Sequence, residues 1–441
     1  MVDSDVARYS SRFRQFRTDP YYAPHIRRIL LLSDLHMDYP ANQEWLYSLC
    51  TSDDHSNAAI DSKHTMIIIA GDVSHDMDIL RWTFQTLKSK FGEVAFTPGN
   101  HDLWLDPGKV RHSGTKLEAE GGDKKKCRTS GKGDGCATSI DKLAKILQLC
   151  VDEDICIGPG KVGSSLWVIP LLSWHHFSFD SEPPIECWGG IPAATKVISD
   201  YRRTTWPAPL SSRDDSLARF FDGLNDVILD LDGIDLDNVP VLTFSHFLPR
   251  IELIPEKRYL TLPTLHSCVG SLFLEQRVRR LRQCGANSHG DVDHLHAFGH
   301  SHLSWDMTID SIRYMHVPLA YPREWEQRRG SLEIGSMKGR ESCDRFPVCV
   351  WEQNSPVEDT ERKCGGGFTP STGFPEKWLG GWWSKYYISV PRKPQRNKEL
   401  APWVARTFRQ LPGGQIEHFV FADVANKMHM REKYSANRLE S

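Results

Sequence analysis

Six short apolar runs divide the chain: "IRRILLLSDLH" (Ile26–His36), "TMIIIAGD" (Thr65–Asp72), "VAFTPGNHD" (Val94–Asp102), "SLWVIPLLSW" (Ser165–Trp174), "VPVLTFSHF" (Val239–Phe247) and "LHAFGHSH" (Leu295–His302). Each is nearly continuous rather than alternating and is rich in β-branched or aromatic side chains. Strands covered on both faces have this pattern. Between them lie stretches of helical character: "DMDILRWTFQTLKSKFG", "SIDKLAKILQLCVD", "SLARFFDGLNDVILDL" and "SLFLEQRVRRLRQCG". The last ends in basic residues and a glycine, a sound helix stop. Strands alternating with helices predict an α/β fold of layered sheets.

Two segments break this rhythm. Asp106 to Thr138 contains "SGTKLEAEGGDKKKCRTSGKGDGCAT", rich in Gly, Lys and Ser, and reads as a loop insertion (106–138). Its lysines follow directly on "HDLWLDPGK". They either add positive charge at the rim of an anion site or form a solvated surface. Beyond residue 345 the chain turns Pro-, Gly- and Trp-rich, as in "KCGGGFTPSTGFPEKWLGGWWSKYY". This predicts an irregular C-terminal extension (346–441) whose aromatics pack on the main body. An N-terminal arm (1–25) leaves residues 26–345 as the body of the fold.

Five of the apolar runs end in residues able to hold metals or protons: Asp34 and His36; Asp72; Asn100, His101 and Asp102; His246; His300 and His302. Open α/β sheets gather their sites at the carboxyl ends of strands. Burying so many unpaired polar groups as simple core filling would be costly. Carboxylates and imidazoles together suit ions such as Mn, Fe, Zn, Ni or Co. A carboxylate can bridge two such ions, clamp a phosphoryl group between them and let them activate a water.

At these residues the sequence resembles the calcineurin-like metallophosphoesterases. "DLH" at Asp34–His36, "GD" at Gly71–Asp72, "GNHD" at Gly99–Asp102, a lone His246 and "GHSH" at Gly299–His302 stand in the family's order. The resemblance implies an αββα four-layer sandwich of two mixed sheets flanked by helices. It also implies a binuclear centre of two divalent or trivalent ions, Mn, Fe or Zn foremost. Asp34, His36 and His302 would hold one ion, Asn100, His246 and His300 the other, and Asp72 would bridge. His101 would face the substrate and stabilise or protonate the leaving group. Asp102 is either a helper that orients the loop or a ring, or a turn-capping carboxylate. The implied reaction is hydrolysis of phosphomonoesters or phosphodiesters by metal-bound hydroxide. The alternatives are a nuclease or cyclic-nucleotide phosphodiesterase, and a silent scaffold of the same fold. The Ser/Thr protein phosphatase branch fits poorly: "GDVSHD" places His75 where that branch has a catalytic Asp, with Asp76 one residue late. A "PLxYPRE"-like block, here "VPLAYPREW" (Val317–Trp325), suits a soluble group of the family better.

Three further residues are candidate substrate contacts. His175 and His176 in "SWHHF" either reach the substrate or pack at the rim. Arg323 either grips a phosphate with its two-pronged guanidinium or pairs locally with Glu324 or Glu326. His289, His294 and His296 need be only surface or supporting groups, and Asp306 and Asp310 are candidate acceptors for the outer nitrogens of ligand histidines.

Composition narrows the picture only a little. The chain has 441 residues, 39% hydrophobic and 25% charged, with a formal charge of −3. Such a balance gives no global field for nucleic acid. The 11 cysteines form no CxxC pair, and the N-terminus shows no apolar leader. A soluble, reducing, cytoplasmic setting is expected, with no membrane segment.

Overall fold

The computed structural model describes residues 4–17, 19–51, 62–105, 135–163, 166–185, 191–231, 234, 236, 239–260, 262–283, 294–326, 347–353, 366–369, 382–396, 400–401 and 404. The lysine-rich part of the insertion, residues 106–134, and His289 lie outside them.

Two mixed sheets flanked by helices form the body. The first has five strands in the order β12-β11-β2-β3-β4. Here β2 is Arg28–Leu32, β3 Thr65–Ala70, β4 Glu93–Thr97, β11 Val348–Gln353 and β12 Gly366–Phe368. The second has seven, in the order β1-β5-β6-β7-β8-β10-β9. These are β1 Tyr21–Ala23, β5 Gly160–Val162, β6 Leu166–Pro170, β7 Val241–Phe244, β8 His294–Phe298, β9 Trp305–Ile309 and β10 Ile312–His316. Strands β2, β3 and β4 are parallel, as are β6, β7, β8 and β10. Every residue of β3, β6, β7 and β8 is buried, as their unbroken apolar runs require of strands covered on both faces.

The four helical stretches form as their signals dictate. Met77–Lys90 starts on Asp76, whose carboxylate accepts the amides of Asp78 and Ile79. Ser139–Asp152 opens with a reciprocal capping box between Thr138 and Asp141. Ser216–Ile228 buries Leu217, Phe220, Phe221, Leu224 and Ile228 at helical spacing. On the same face, the Asn225 amide pairs with both the N–H and the C=O of Leu172, satisfying the backbone just past β6.

The two sheets meet near their carboxyl ends. Thr97 Oγ1 donates to Leu171 O at 3.0 Å, and His246 Nδ1 lies 2.9 Å from Ala70 O. Parallel strands of both sheets therefore deliver their following loops to one place.

The extension beyond residue 345 is less irregular than its composition suggests. β11 lies antiparallel on β2, and Trp351 is fully buried. The expected boundary at 345 thus falls inside one sheet. Six residues, "VCVWEQ", make that strand, and the Gly- and Pro-rich text after them masked the signal. Trp383 and Tyr387 of the helix Trp382–Ser389 are buried as well. The N-terminal arm is likewise built in: β1 pairs with β5, and Phe13 and Phe16 are core residues.

Candidate metal centre

The turns that follow β2, β3, β4, β7 and β8 converge. Asp34 and His36 come from the first, Asp72 from the second, Asn100 and His101 from the third, His246 from the fourth, and His300 and His302 from the fifth. Five of these residues have a left-handed backbone: Asp34 (φ 52°), His36 (φ 44°), Asp72 (φ 56°), His300 (φ 78°) and His302 (φ 55°). Each such non-glycine residue costs about 1–3 kcal/mol, and such strain persists where the surroundings over-determine it. Gly71 (φ 81°) shows how tightly the turns pack, because a Cβ there would meet His246 Nδ1 at 2.5 Å.

Two groups of side chains share Asp72. Asp34, His36, Asp72 and His302 bring one ligand atom each to within 4.8 Å of one another, and so do Asp72, His246 and His300. His36 and His302 turn Nε2 toward each other at 2.8 Å. Asn100 Oδ1 lies 2.9 Å from His246 Nε2 and 2.8 Å from His300 Nδ1. Asp72 Oδ1 is 3.3 Å from His246 Nε2, and its Oδ2 is 4.0 Å from His36 Nε2. One carboxylate oxygen thus faces each group.

The tautomers follow from the outer contacts. His246 Nδ1–H donates to Ala70 O, which leaves Nε2 as a bare lone pair. His302 Nδ1–H donates to Glu324 Oε2 at 2.8 Å, with the same consequence. The electrostatics agree. Burial, then the adjacent His302, pushes His36 down to about 3, and burial pushes His246 down to about 4. Burial and neighbouring imidazoles also hold His300 and His101 well below the usual range. Burial works against ionising Asp34, but the hydrogen bond from His316 (2.9 Å) and nearby imidazoles hold its carboxyl well below its ordinary value. Asp72 is pushed up by burial and by the charges of Asp102 and Asp34. Neutral imidazoles and crowded carboxylates, with no Lys or Arg among them, form a donor set that fits divalent cations.

His101 sits at the mouth. Its backbone N–H donates to Asp72 Oδ1 at 2.9 Å, its ring packs on Trp104 at 3.5 Å between centroids, and its Nε2 is 3.3 Å from Tyr321 Oη. It belongs to neither metal group. Asp102 points away from the site and accepts the amides of Gly99, Asp72, Val73 and Ser74 at 2.8–3.0 Å. Of its two expected roles, this is the turn-capping one: it ties the GD turn to the GNHD turn.

The other expected contacts scatter. His175 is fully buried between Trp174, Tyr201 and Phe247, with neither ring nitrogen paired among the described residues. His176 is occupied elsewhere, with Nε2 accepting from Leu272 N at 3.0 Å and Nδ1 2.8 Å from Ser178 Oγ. Arg323 is exposed, its guanidinium 5.9 Å from the Tyr321 ring. Asp306 pairs with Arg313, and Asp310 with Arg250 and Arg279, so neither supports a ligand histidine. His75 pairs with Asp38.

Four supporting residues carried no local signal of their own. Glu324 and Tyr321 lie in the "VPLAYPREW" block, whose expected contact was Arg323. The short helix Pro322–Glu326 leaves Arg323 exposed and buries Glu324. His316, at the end of β10, serves Asp34. Asp200 Oδ1 accepts both Asn100 Nδ2 and Trp104 Nε1 at 2.7 Å, and so orients a metal-group amide and the ring beneath His101.

Residues 27–159 match the family model described as calcineurin-like phosphoesterase. The curated "[Acyl-carrier-protein] phosphodiesterase PptH" of Mycobacterium tuberculosis is 22% identical over 312 residues, which is 68% of this chain and 79% of that protein. The crystal structure of phosphopantetheinyl hydrolase (PptH) from Mycobacterium tuberculosis aligns at 19% identity with a TM-score of 0.44, over 71% of this chain and 95% of that one.

Proposed function

We propose that this chain, which belongs to the calcineurin-like phosphoesterases and is a phosphate-ester hydrolase, acts on a phosphodiester through two metal ions. One observation carries the two-ion reading: Asp72 turns one oxygen to each of two ligand groups that share nothing else. Asp34, His36 and His302 would hold one ion, and Asn100, His246 and His300 the other. Bound there, the ions would supply positive charge for the phosphoryl oxygens and an activated water.

The chain's own residues do the rest. Asp34 is kept ionised by His316, and His302 is kept in its Nε2-ligand tautomer by Glu324. Asp200 fixes the Asn100 amide so that Oδ1 faces the site. His101 is the group placed to meet a leaving-group oxygen. Its low pKa makes it a neutral donor in the free protein, one that shares a hydrogen bond with the developing alkoxide. Tyr321 Oη sets the orientation of that ring.

The diester preference is supported by the relative, which by its name is a phosphodiesterase of acyl-carrier protein. The same substrate class is proposed here, a phosphodiester joining an organic arm to a carrier protein. The test is to supply the purified chain with Mn, Fe or Zn and offer it acyl-carrier protein with its phosphate-linked arm, bis-p-nitrophenyl phosphate and p-nitrophenyl phosphate. Turnover of the two diesters, well above the monoester, is expected. Preference for the monoester overturns the diester reading, and preference for a cyclic nucleotide moves the substrate. Metal-loaded protein that cleaves none of them is a scaffold, not an enzyme.

A further inference from the structure

A group that meets a leaving-group oxygen must be held in place, because a misplacement of about 1 Å can cost roughly 10²-fold in rate. The hydrogen bonds of the His101 ring do not hold it so firmly. Among the described residues the shortest is 3.3 Å, between Nε2 and Tyr321 Oη, which is long for such a bond. That contact can turn one edge of the ring, but it leaves the plane of the ring free.

Trp104 sets the plane. His101–Leu103 form a single 3-10 turn, and in such a turn side chains three residues apart eclipse one another. His101 and Trp104 stand at that spacing. Their rings lie 3.5 Å apart between centroids, inclined by 30°. The short text "HDLW" thus builds its own stack.

Trp104 is itself buried and tied at ring, indole nitrogen and backbone. Its Nε1–H donates to Asp200 Oδ1 at 2.7 Å. The guanidinium of Arg203 lies over the indole, with Cζ 4.8 Å from the ring centroid, a cation–π contact. Its carbonyl accepts the ammonium of the fully buried Lys142, and its backbone N–H donates to His101 O at 3.2 Å. Asp200 and Arg203 are the two ends of one four-residue helix, Asp200–Arg203. That helix is fastened to the same segment, since Arg203 O accepts Leu105 N at 2.8 Å.

We propose that Trp104 is a positioning residue for the leaving-group step: it aims the His101 imidazole, and the helix Asp200–Arg203 aims Trp104. The proposal rests on the reading of His101 given above and deepens it by naming what holds that ring.

The test is a double-mutant cycle in the metal-loaded protein, run on an alkyl and a nitrophenyl phosphodiester. Trp104→Leu removes both the stack and the tether. It should lose roughly 10²-fold in kcat on the alkyl ester, as a misplaced imidazole would, with KM and metal content unchanged. The loss should be much smaller on the nitrophenyl ester. In a His101→Ala background the same substitution should cost nothing further, because a residue that acts only through His101 has nothing left to aim. A crystal structure of Trp104→Leu should show the His101 ring displaced and the metal groups in place. Wild-type turnover, an equal loss on both esters, or a loss that multiplies with that of His101→Ala overturns the proposal. If Trp104→Leu does not fold, two milder variants take its place. Trp104→Phe keeps a ring without the Asp200 hydrogen bond, and Arg203→Met removes the cation. Each should show the same pattern at a smaller loss, roughly tenfold or less. If His101→Ala itself costs nothing, or neither ester is cleaved, the underlying reading fails separately. The crystal structure of the Trp104 variant then decides the proposal: a displaced His101 ring upholds it, and an unmoved ring overturns it.

Discussion

β8 and the turn that follows it each carry two histidines at the same spacing, His294 and His296 in the strand and His300 and His302 in the turn. In the strand, residues two apart share a face. Both rings reach the same hydroxyl there: His294 Nε2 and His296 Nδ1 each lie 2.8 Å from Thr243 Oγ1, and His296 Nε2 is 3.1 Å from Ser245 Oγ. In the turn the backbone is left-handed at both positions, and the rings meet Asn100, Glu324 and the carboxylate of Asp34. The difference is therefore not histidine content. Hydroxyls surround the first pair and make it core. Carboxylates and a strained backbone surround the second and make it a candidate cation site.

If that contrast is sound, the carboxylate shared by both metal groups should matter most. Asp72→Asn should drop bound metal from about two ions per chain to below one and take turnover to background, since the bridge serves both ions. Metal analysis after dialysis, with a melting curve as the control for folding, checks it. Two tightly held ions in the variant would break the assignment of the turn pair.

The next effect concerns His101, which touches the site without belonging to a metal group. His101→Ala should keep both ions and lose roughly 10²–10⁴ in rate on an alkyl ester. The loss should shrink on a nitrophenyl ester, whose leaving group needs little help. An equal loss on both esters would remove His101 from the leaving group.

Glu324→Gln probes the carboxylate behind His302. It should weaken metal binding by roughly 10–100-fold while leaving the fold intact, the usual result of losing such a partner. Unchanged affinity would mean that Glu324 only anchors Tyr321 N, which it also accepts at 3.0 Å.

These variants divide into what the sequence tells and what it hides. All six apolar runs form strands, and the four long helical stretches form helices, because burial on both faces and capping are written locally. The metal groups were legible because each ligand directly follows a strand end. Their supports were not. His316, Glu324 and Asp200 lie 282, 22 and 100 residues from the groups they serve, and only the packing of the two sheets brings them close. A carboxylate near in sequence, such as Asp306 or Asp310, was the natural guess, but a buried or rim arginine claims each of them. The strand in the C-terminal segment was hidden for a different reason: composition averaged over a Gly-rich stretch outweighed six β-forming residues. His294 and His296, expected to be only surface or supporting groups, are core residues that share the Thr243 hydroxyl.

The smallest effect lies with that core pair and is one of stability alone. Burial, and then the charge of Arg282, push His294 down to about 3 from an ordinary value of 6.5. The folded protein thus holds this ring neutral, while the unfolded chain protonates it below about pH 6.5. The sign follows: the contribution is fully present above that pH and is lost as pH falls toward the folded value. Each pH unit in that window is worth about 1.4 kcal/mol, so about 2 kcal/mol should be lost between pH 8 and pH 5. His294→Gln removes the titration and can keep a hydrogen bond to Thr243. In urea unfolding at the two pH values, wild type should therefore lose about 2 kcal/mol more than the variant. The subtraction cancels the other buried histidines and the ions, which both proteins share. Hydrolysis and metal content at pH 8 should be the same in both. Equal pH dependence would place His294 outside the buried core, and loss of metal would make the strand pair part of the site.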